Sequence, residues 1–157
     1  MLRVIESDHE MREFGHAIGK ILGGGETIEL IGDVGSGKTT LTKGIALGLG
    51  VTESVQSPSF TINRVYPARD DLELAHYDFY RLDDSGIMAD ELSEAINRDD
   101  AVTVIEWAGL VDGILPEDRL TIRFVSPSET TRQVEVIATG DASKDLLRKL
   151  NDDDATD

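Results

Sequence analysis

Gly32-Asp33-Val34-Gly35-Ser36-Gly37-Lys38-Thr39 follows the pattern G-x-x-x-x-G-K-[ST] without a gap. In such a segment the glycines let successive backbone N–H groups converge on phosphate oxygens, and a following helix adds the positive end of its dipole. The lysine, Lys38, reaches the β- and γ-phosphates, and the Thr39 hydroxyl completes the shell of a Mg²⁺ ion. The expected nucleotide contacts are Asp33, Val34, Gly35, Ser36, Gly37, Lys38, Thr39 and Thr40. A chance glycine-rich turn is the competing reading, and context decides against it. The β-prone run Thr27 to Ile31 stands before the loop, and a helical stretch from Lys38 to Leu49 follows it and stops at Gly50.

A phosphate loop gives a nucleotide but not a reaction, so a magnesium ligand and a group that orients water must come from elsewhere. Two acids have suitable positions. Asp78 lies near the end of the β-like run Leu72 to Phe79, and Glu106 terminates the apolar run Ala101 to Ile105, at the strand end where open α/β sheets bind ligands. Either can also be a plain surface carboxylate. His76 suits an acid–base group or a metal ligand, but a lone strand-borne histidine reads first as a hydrogen-bonded structural residue. Trp107, the single tryptophan, serves either core packing or contact with the nucleotide. Ser57-Pro58-Ser59-Phe60-Thr61 offers three hydroxyls where a segment sensing the γ-phosphate would stand, and it reads equally as a turn.

The elements that must position these groups alternate between strand and helix. Leu2 to Ile5 reads as a strand, and Ser7 with Glu10 matches a capping box opening a helix from Asp8 to Leu22. Met11, Phe14, Ile18 and Ile21/Leu22 form the stripe of that helix that packs on a sheet. Phe60 to Tyr66 and Leu72 to Phe79, joined by Pro67 to Asp71, form an antiparallel hairpin, so the sheet is expected to be mixed. Asp84 to Ile96 reads as a surface helix and Ala101 to Ile105 as a strand buried on both faces. Leu120 to Val125 and Gln133 to Thr139 read as a closing hairpin. The expected organisation is an α/β domain with a phosphate-loop NTPase fold over 1–140, its mixed central β-sheet flanked by helices. A C-terminal helix over 141–150 and a disordered acidic tail over 151–157 follow.

Composition narrows the partners. Against 15 Lys and Arg stand 31 Asp and Glu, a net charge of −16 that repels nucleic-acid phosphates and anionic membranes at long range. Cysteine is absent, which removes disulfides, thiolate metal sites and a cysteine nucleophile together. The chain shows no basic-then-apolar leader and no run of 18 or more apolar residues, so a cytoplasmic protein is expected.

The ordered motifs resemble one family, TsaE (also called YjeE), the small bacterial phosphate-loop ATPases of tRNA threonylcarbamoyladenosine biosynthesis. Residues 32–40 resemble that family's phosphate loop, Ser-Pro-Ser-Phe-Thr at 57–61 its second motif, His-Tyr-Asp-Phe-Tyr-Arg at 76–81 its third and Ile-Glu-Trp at 105–107 its fourth. The resemblance spans most of residues 1 to about 140, and the stretch from Asp83 to Asp99 fits it less well. Val34 and Ser36 stand where the family often has Leu and Ala, Ser59 where it often has Thr, and Phe79 where it often has Leu.

That resemblance implies that Lys38 and Thr39 hold phosphates and Mg²⁺, and that Asp78 is a magnesium-site acid. It makes Glu106 a magnesium-linked or water-activating acid, so the implied catalytic set is Glu106, Asp78 and Lys38 and the metal set Thr39, Asp78 and Glu106. Arg132 matches a family arginine near the nucleotide, Asp8 lies near the base, and Ser57 to Thr61 forms a switch-like loop. The implied reaction is hydrolysis of ATP to ADP and phosphate in the service of the TsaB and TsaD proteins, with tRNA reached only through that complex and no membrane partner. Two rivals remain on the residues alone. A small-molecule kinase shares the loop but needs an acceptor pocket and an arginine-bearing lid, for which the 157 residues show no segment. A nucleotide-dependent switch without useful turnover needs neither.

Overall fold

A strand in which every residue is buried must be covered on both faces, which places it inside a parallel sheet. Ala101–Glu106 is such a strand. Among the described residues it is β5 of seven: β1 (Leu2–Ile5), β2 (Thr27–Ile31), β3 (Asn63–Pro67), β4 (Glu73–Asp78), β5, β6 (Leu120–Val125) and β7 (Arg132–Ala138). The computed structural model describes residues 1–33, 35–56, 63–80, 86–129 and 131–156, with the side chains of 86–88, 110 and 154–156 outside the description. The sheet order is β1-β7-β6-β2-β5-β4-β3. Strands β6, β2, β5 and β4 run parallel, while β3 and β7 are antiparallel to their neighbours and β1 is antiparallel to β7. The mixed sheet and both hairpins expected from the sequence are present. The parts of those expectations that fall on Val34, Ser57 to Ile62 and Arg81 to Ser85 lie outside the described residues.

Among the described residues four helices cover the sheet: α1 (Asp8–Ile21), α2 (Lys38–Gly48), α3 (Gly86–Ile96) and α4 (Asp141–Thr156). Alternation along the strands decides which side each residue serves. Ile28 and Leu30 of β2, with Val102 and Val104 of β5, share a core with Phe14 and Ile18 of α1, Leu41 and Ile45 of α2, and Leu146 and Leu150 of α4. Ala75, Tyr77 and Ile105 face the other way, onto Leu92 of α3 and the 3₁₀ turn Ala108–Val111. Among the described residues no helix is long and apolar enough to cross a membrane.

At the start of α1 the Ser7 hydroxyl accepts from the Glu10 N–H at 3.1 Å. Glu10 reaches back to the N–H of Glu6 at 2.9 Å, one residue before the Ser7 donor of a regular capping box. At the other end, Arg69 in the β3–β4 turn donates to the carbonyls of Gly19, Lys20 and Leu22 at 3.3, 3.0 and 2.7 Å, a cation satisfying the free carbonyls of a helix C-terminus.

Helices α1 and α2 run parallel, with backbones touching through glycines four residues apart on each. A Cβ at Gly15 would lie 2.4 Å from the Leu41 carbonyl oxygen, and one at Gly19 2.2 Å from that of Ile45. Conversely, a Cβ at Gly44 would lie 2.3 Å from the Arg12 carbonyl oxygen. Because these atoms belong to the backbone, no side-chain rotation relieves the clash. Gly19→Ala is therefore expected to cost about 2 kcal/mol or more in chemical denaturation, although alanine is the better helix former. An unchanged or raised denaturation midpoint would show that the helices can separate freely.

The tail over 151–157, expected to be disordered, is instead helical as far as Thr156, as the continuation of α4. The physical reason lies upstream: buried Leu146 and Leu150 seat α4 on the core, and a helix already nucleated adds further turns at low cost. Residues 151–153 are exposed. Truncation after Leu150 should shift stability by less than about 1 kcal/mol, whereas truncation after Asp145 removes both leucines and should cost about 3 kcal/mol or more. Equal thermal midpoints for the two truncations would contradict this account of α4.

Candidate active site

The loop between β2 and α2 takes the form its glycines permit. Gly35 and Gly37 have φ of +80° and +107°, left-handed conformations that a side chain would strain. Beneath them the Ser36 N–H donates to the Asp33 carbonyl at 3.1 Å. Gly37 is the N-cap of α2, with no side-chain cap and no acid in the first turn, so the first N–H groups of the helix stay available to an anion. Among the described residues Ser36 Oγ is buried without a hydrogen-bond partner. Thr39 and Thr40 are in the first helical turn, and Asp33 is exposed. Val34 lies outside the described residues.

Lys38 is only 6% exposed. Its Nζ donates to the Gly32 carbonyl and lies 4.0 Å from the centre of the Trp107 ring. Burial pushes the ammonium pKa down, opposed by the negative charges of Glu106, Asp78 and Asp33. The two acids selected in the sequence are thus electrostatic neighbours of the loop lysine.

Sheet register explains the meeting. Leu30, near the end of β2, is in register with Glu106 of β5, and Glu106 with Asp78 of β4. The two carboxylates occupy one rung and project on the α1–α2 side. Strand β5 is the direct neighbour of β2, and β4 stands one strand further out. The Phe79 N–H donates to the Glu106 carbonyl at 3.1 Å, joining the strand ends, and Asp78 Oδ1 accepts from the Tyr80 N–H at 3.0 Å. Asp78 is 8% exposed and Glu106 3%. Burial pushes the Asp78 carboxyl above the usual carboxylate range, against the hydrogen bond from Tyr80, and the nearby Glu106 charge raises it further.

His76, read first as a structural residue, is fully buried, with Nε2 2.7 Å from Glu106 Oε2. Trp107, next along the chain from Glu106, has φ 57° and ψ 51°, a left-handed conformation unusual for a bulky residue, and it lies against Tyr80 with ring centres 4.9 Å apart. Trp107 is partly buried against the core of Ala75, Tyr77 and Leu92 and also stands over the phosphate-loop lysine, so core packing and a place beside the loop hold together. Beside the loop, a cavity of about 330 Å³ is lined by Glu29 to Asp33 and by Trp107, Ala108 and Gly109. A larger cavity of about 540 Å³ opens at the opposite end of the sheet, around Gly23 to Thr27 and Asp118 to Leu120, far from these groups.

Two selected residues stay apart from this cluster. Asp8 is exposed in the first turn of α1, although Met11, one turn on, lies close enough to Gly37 that a Cβ there would be 3.0 Å from its Cε. Arg132 begins β7 at the loop end of the sheet, two strands from β2, or about 10 Å. Its guanidinium donates to the carbonyls of Ser128, Glu129 and Thr131, each at 3.2 Å. The sequence reading missed Tyr80 and the His76–Glu106 bond. The two-residue spacing of His76 and Asp78 does place both on one strand face, but the pairing of β4 with β5 has no local signal.

An uncapped helix start, a buried lysine and two in-register carboxylates suit a phosphorylated ligand held with a hard cation. Among the described residues no group of three or more His, Asp or Glu could enclose a metal by itself.

The family model for TsaE, threonylcarbamoyl adenosine biosynthesis protein TsaE, matches residues 5–134. The chain is 43% identical over 116 residues to the tRNA threonylcarbamoyladenosine biosynthesis protein TsaE of Streptomyces coelicolor, covering 73% of this chain and 78% of that protein. Identity to the Bacillus subtilis protein of the same name is 38% over 132 residues, covering 81% of this chain and 78% of that one. The crystal structure of Bacillus subtilis YdiB superposes with a TM-score of 0.81 at 30% identity, covering 98% of this chain and 95% of that one.

Proposed function

This chain belongs to the TsaE family of tRNA threonylcarbamoyladenosine biosynthesis, and we propose that within this role it is a magnesium-dependent ATPase acting on a complex of the TsaB and TsaD proteins. The observation that carries the reading is the single rung formed by Glu106 and Asp78 at the strand ends beside Lys38. Backbone N–H groups of the loop and the start of α2 bind the phosphate oxygens. Lys38 leaves the Gly32 carbonyl for the β- and γ-phosphates, where its charge counters the negative charge that accumulates during transfer. Thr39 and Asp78 would hold the Mg²⁺, which supplies further neutralisation of the phosphates.

Glu106 accepts a hydrogen bond from the attacking water and receives its proton. The water oxygen forms a bond to the γ-phosphorus as the bond to the bridging oxygen of ADP breaks, leaving ADP and inorganic phosphate. Trp107, packed against Tyr80, stands over Lys38 at this end of the site. With a net charge of −16, the chain leaves the basic tRNA-binding surface to its partners.

Phosphate release measured alone and with the TsaB and TsaD proteins of the same organism tests the reading. The expected result is slow release alone and clear stimulation in the complex, with no product phosphorylated on an added nucleoside. Phosphate transfer to such an acceptor would make the protein a kinase, and binding without stimulated turnover would make it a switch.

A further inference from the structure

His76 sits at the centre of the sheet with no measurable exposure, deeper than any other ionisable side chain of the cluster. A polar group at that depth is costly unless it is hydrogen-bonded. Its one partner among the described residues is Glu106, with Nε2 2.7 Å from Oε2, while Nδ1 has none. The histidine is thus sealed within the sheet, and among the described residues its hydrogen bonding goes to one carboxylate. In the tautomer with its hydrogen on Nε2, the imidazole donates to that carboxylate oxygen.

The register defines the direction of this contact. His76 pairs with Val104, so Glu106 stands two residues further along β5 on the same face, and the bond crosses diagonally from the sheet interior to the strand end. Asp78, two residues beyond His76, occupies the outer rung with Glu106. Glu106 therefore meets His76 on its inner side and the phosphate loop on its outer side. A glutamate has three rotatable side-chain bonds, and a glutamate at a strand end can turn toward solvent or toward the sheet. One short bond to Oε2, at the distance typical of a charge-assisted pair, removes that freedom and leaves Oε1 in a fixed place.

We infer that His76 is a positioning residue: its buried Nε2–H holds Oε2 of Glu106, so that Oε1 is presented to the water that attacks the γ-phosphate. This rests on the role proposed above for Glu106. With no exposed surface of its own, His76 acts only through that carboxylate. Glu106 then needs no further side chain to aim it, and the supporting group comes from a neighbouring strand that cannot move independently of the sheet.

The test uses the full chain with its partner proteins and compares His76→Gln, His76→Leu and Glu106→Gln, together with the His76→Leu/Glu106→Gln double variant. Gln can place an amide N–H near the imidazole Nε2 position, whereas Leu fills the space without a donor. His76→Leu should lower kcat at least about tenfold with KM for ATP changed less than about twofold, and His76→Gln should recover most of the loss. The double variant should be no slower than Glu106→Gln alone, since a residue acting through another adds nothing once that one is neutralised. In nucleotide-free protein, the ¹³C-carboxyl resonance that disappears in Glu106→Gln should move in His76→Leu and return toward its wild-type position in His76→Gln.

Full turnover in His76→Leu while Glu106→Gln is inactive would overturn the inference and leave the role of Glu106 intact. Losses that multiply in the double variant would assign His76 a separate role and overturn it equally. Full turnover in Glu106→Gln would instead remove the role on which the inference stands. Should His76→Leu fail to fold, His76→Gln decides: turnover within about threefold of wild type supports the inference, and a loss as deep as that of Glu106→Gln overturns it.

Discussion

Lys38→Ala is expected to lose ATP affinity by a hundredfold or more and to show no measurable phosphate release. Lys38 is the one cation within the loop sequence Gly32 to Thr39, and removing one partner of a buried ion pair typically costs about 3–5 kcal/mol, or two to nearly four orders of magnitude in binding. The single tryptophan gives a direct readout, because Lys38 Nζ lies 4.0 Å from its ring and must move to meet a phosphate. Titration with ATP and Mg²⁺ should change Trp107 fluorescence in the wild type and not in the variant. Lys38→Met separates binding from folding. Burial pushes the Lys38 pKa down, so at neutral pH the folded state carries a charge it holds at a cost, and the Met variant should be at least as stable. Wild-type affinity in either variant would remove the lysine from the nucleotide site.

The second large effect belongs to the paired acids. Glu106→Gln and Asp78→Asn keep shape while removing charge, and each should lower partner-stimulated hydrolysis by at least about tenfold, roughly 1.4 kcal/mol of barrier. The register that places both on one rung makes them one unit, so the double variant should lose much less than the product of the single losses. Asp78→Asn should retain the bond from the Tyr80 N–H, since the amide oxygen still accepts. The folded-state pKa of Asp78 is raised by burial, so its contribution to stability falls as pH rises through the interval above the unfolded value. The Asn variant lacks that fall, and its thermal midpoint at neutral pH should match or exceed the wild type. Full hydrolysis at saturating ATP and Mg²⁺ in either single variant would exclude that residue from the site.

What could be read from the sequence depended on whether a signal was local. The phosphate loop was legible because its chemistry sits in eight consecutive residues between a β-prone run and a helical one. The place of Glu106 at a strand end was legible because it follows an apolar run, and that strand is buried throughout. The meeting of Glu106 with Asp78 was not, because it depends on β4 pairing with β5, and strand order is set by long-range packing. The same holds for Glu29, whose partner Arg119 lies 3.2 Å away but 90 residues along the chain. The glycine contacts of α1 and α2 escaped the apolar-stripe reading because a missing side chain leaves no hydrophobic mark. The acidic end of the chain read as disordered because composition alone hides the support that Leu146 and Leu150 give the helix ahead of it.

A crystal structure of the protein with Mg²⁺ and a non-hydrolysable ATP analogue tests the central claim most directly. The account predicts phosphates across the loop from Gly32 to Thr39, with Lys38 turned from the Gly32 carbonyl onto the β- and γ-phosphates. It further predicts the cation beside Thr39 and Asp78, and Glu106 facing the γ-phosphate. A nucleotide seated in the cavity around Gly23 to Thr27 and Asp118 to Leu120, or a γ-phosphate remote from both carboxylates, would contradict it.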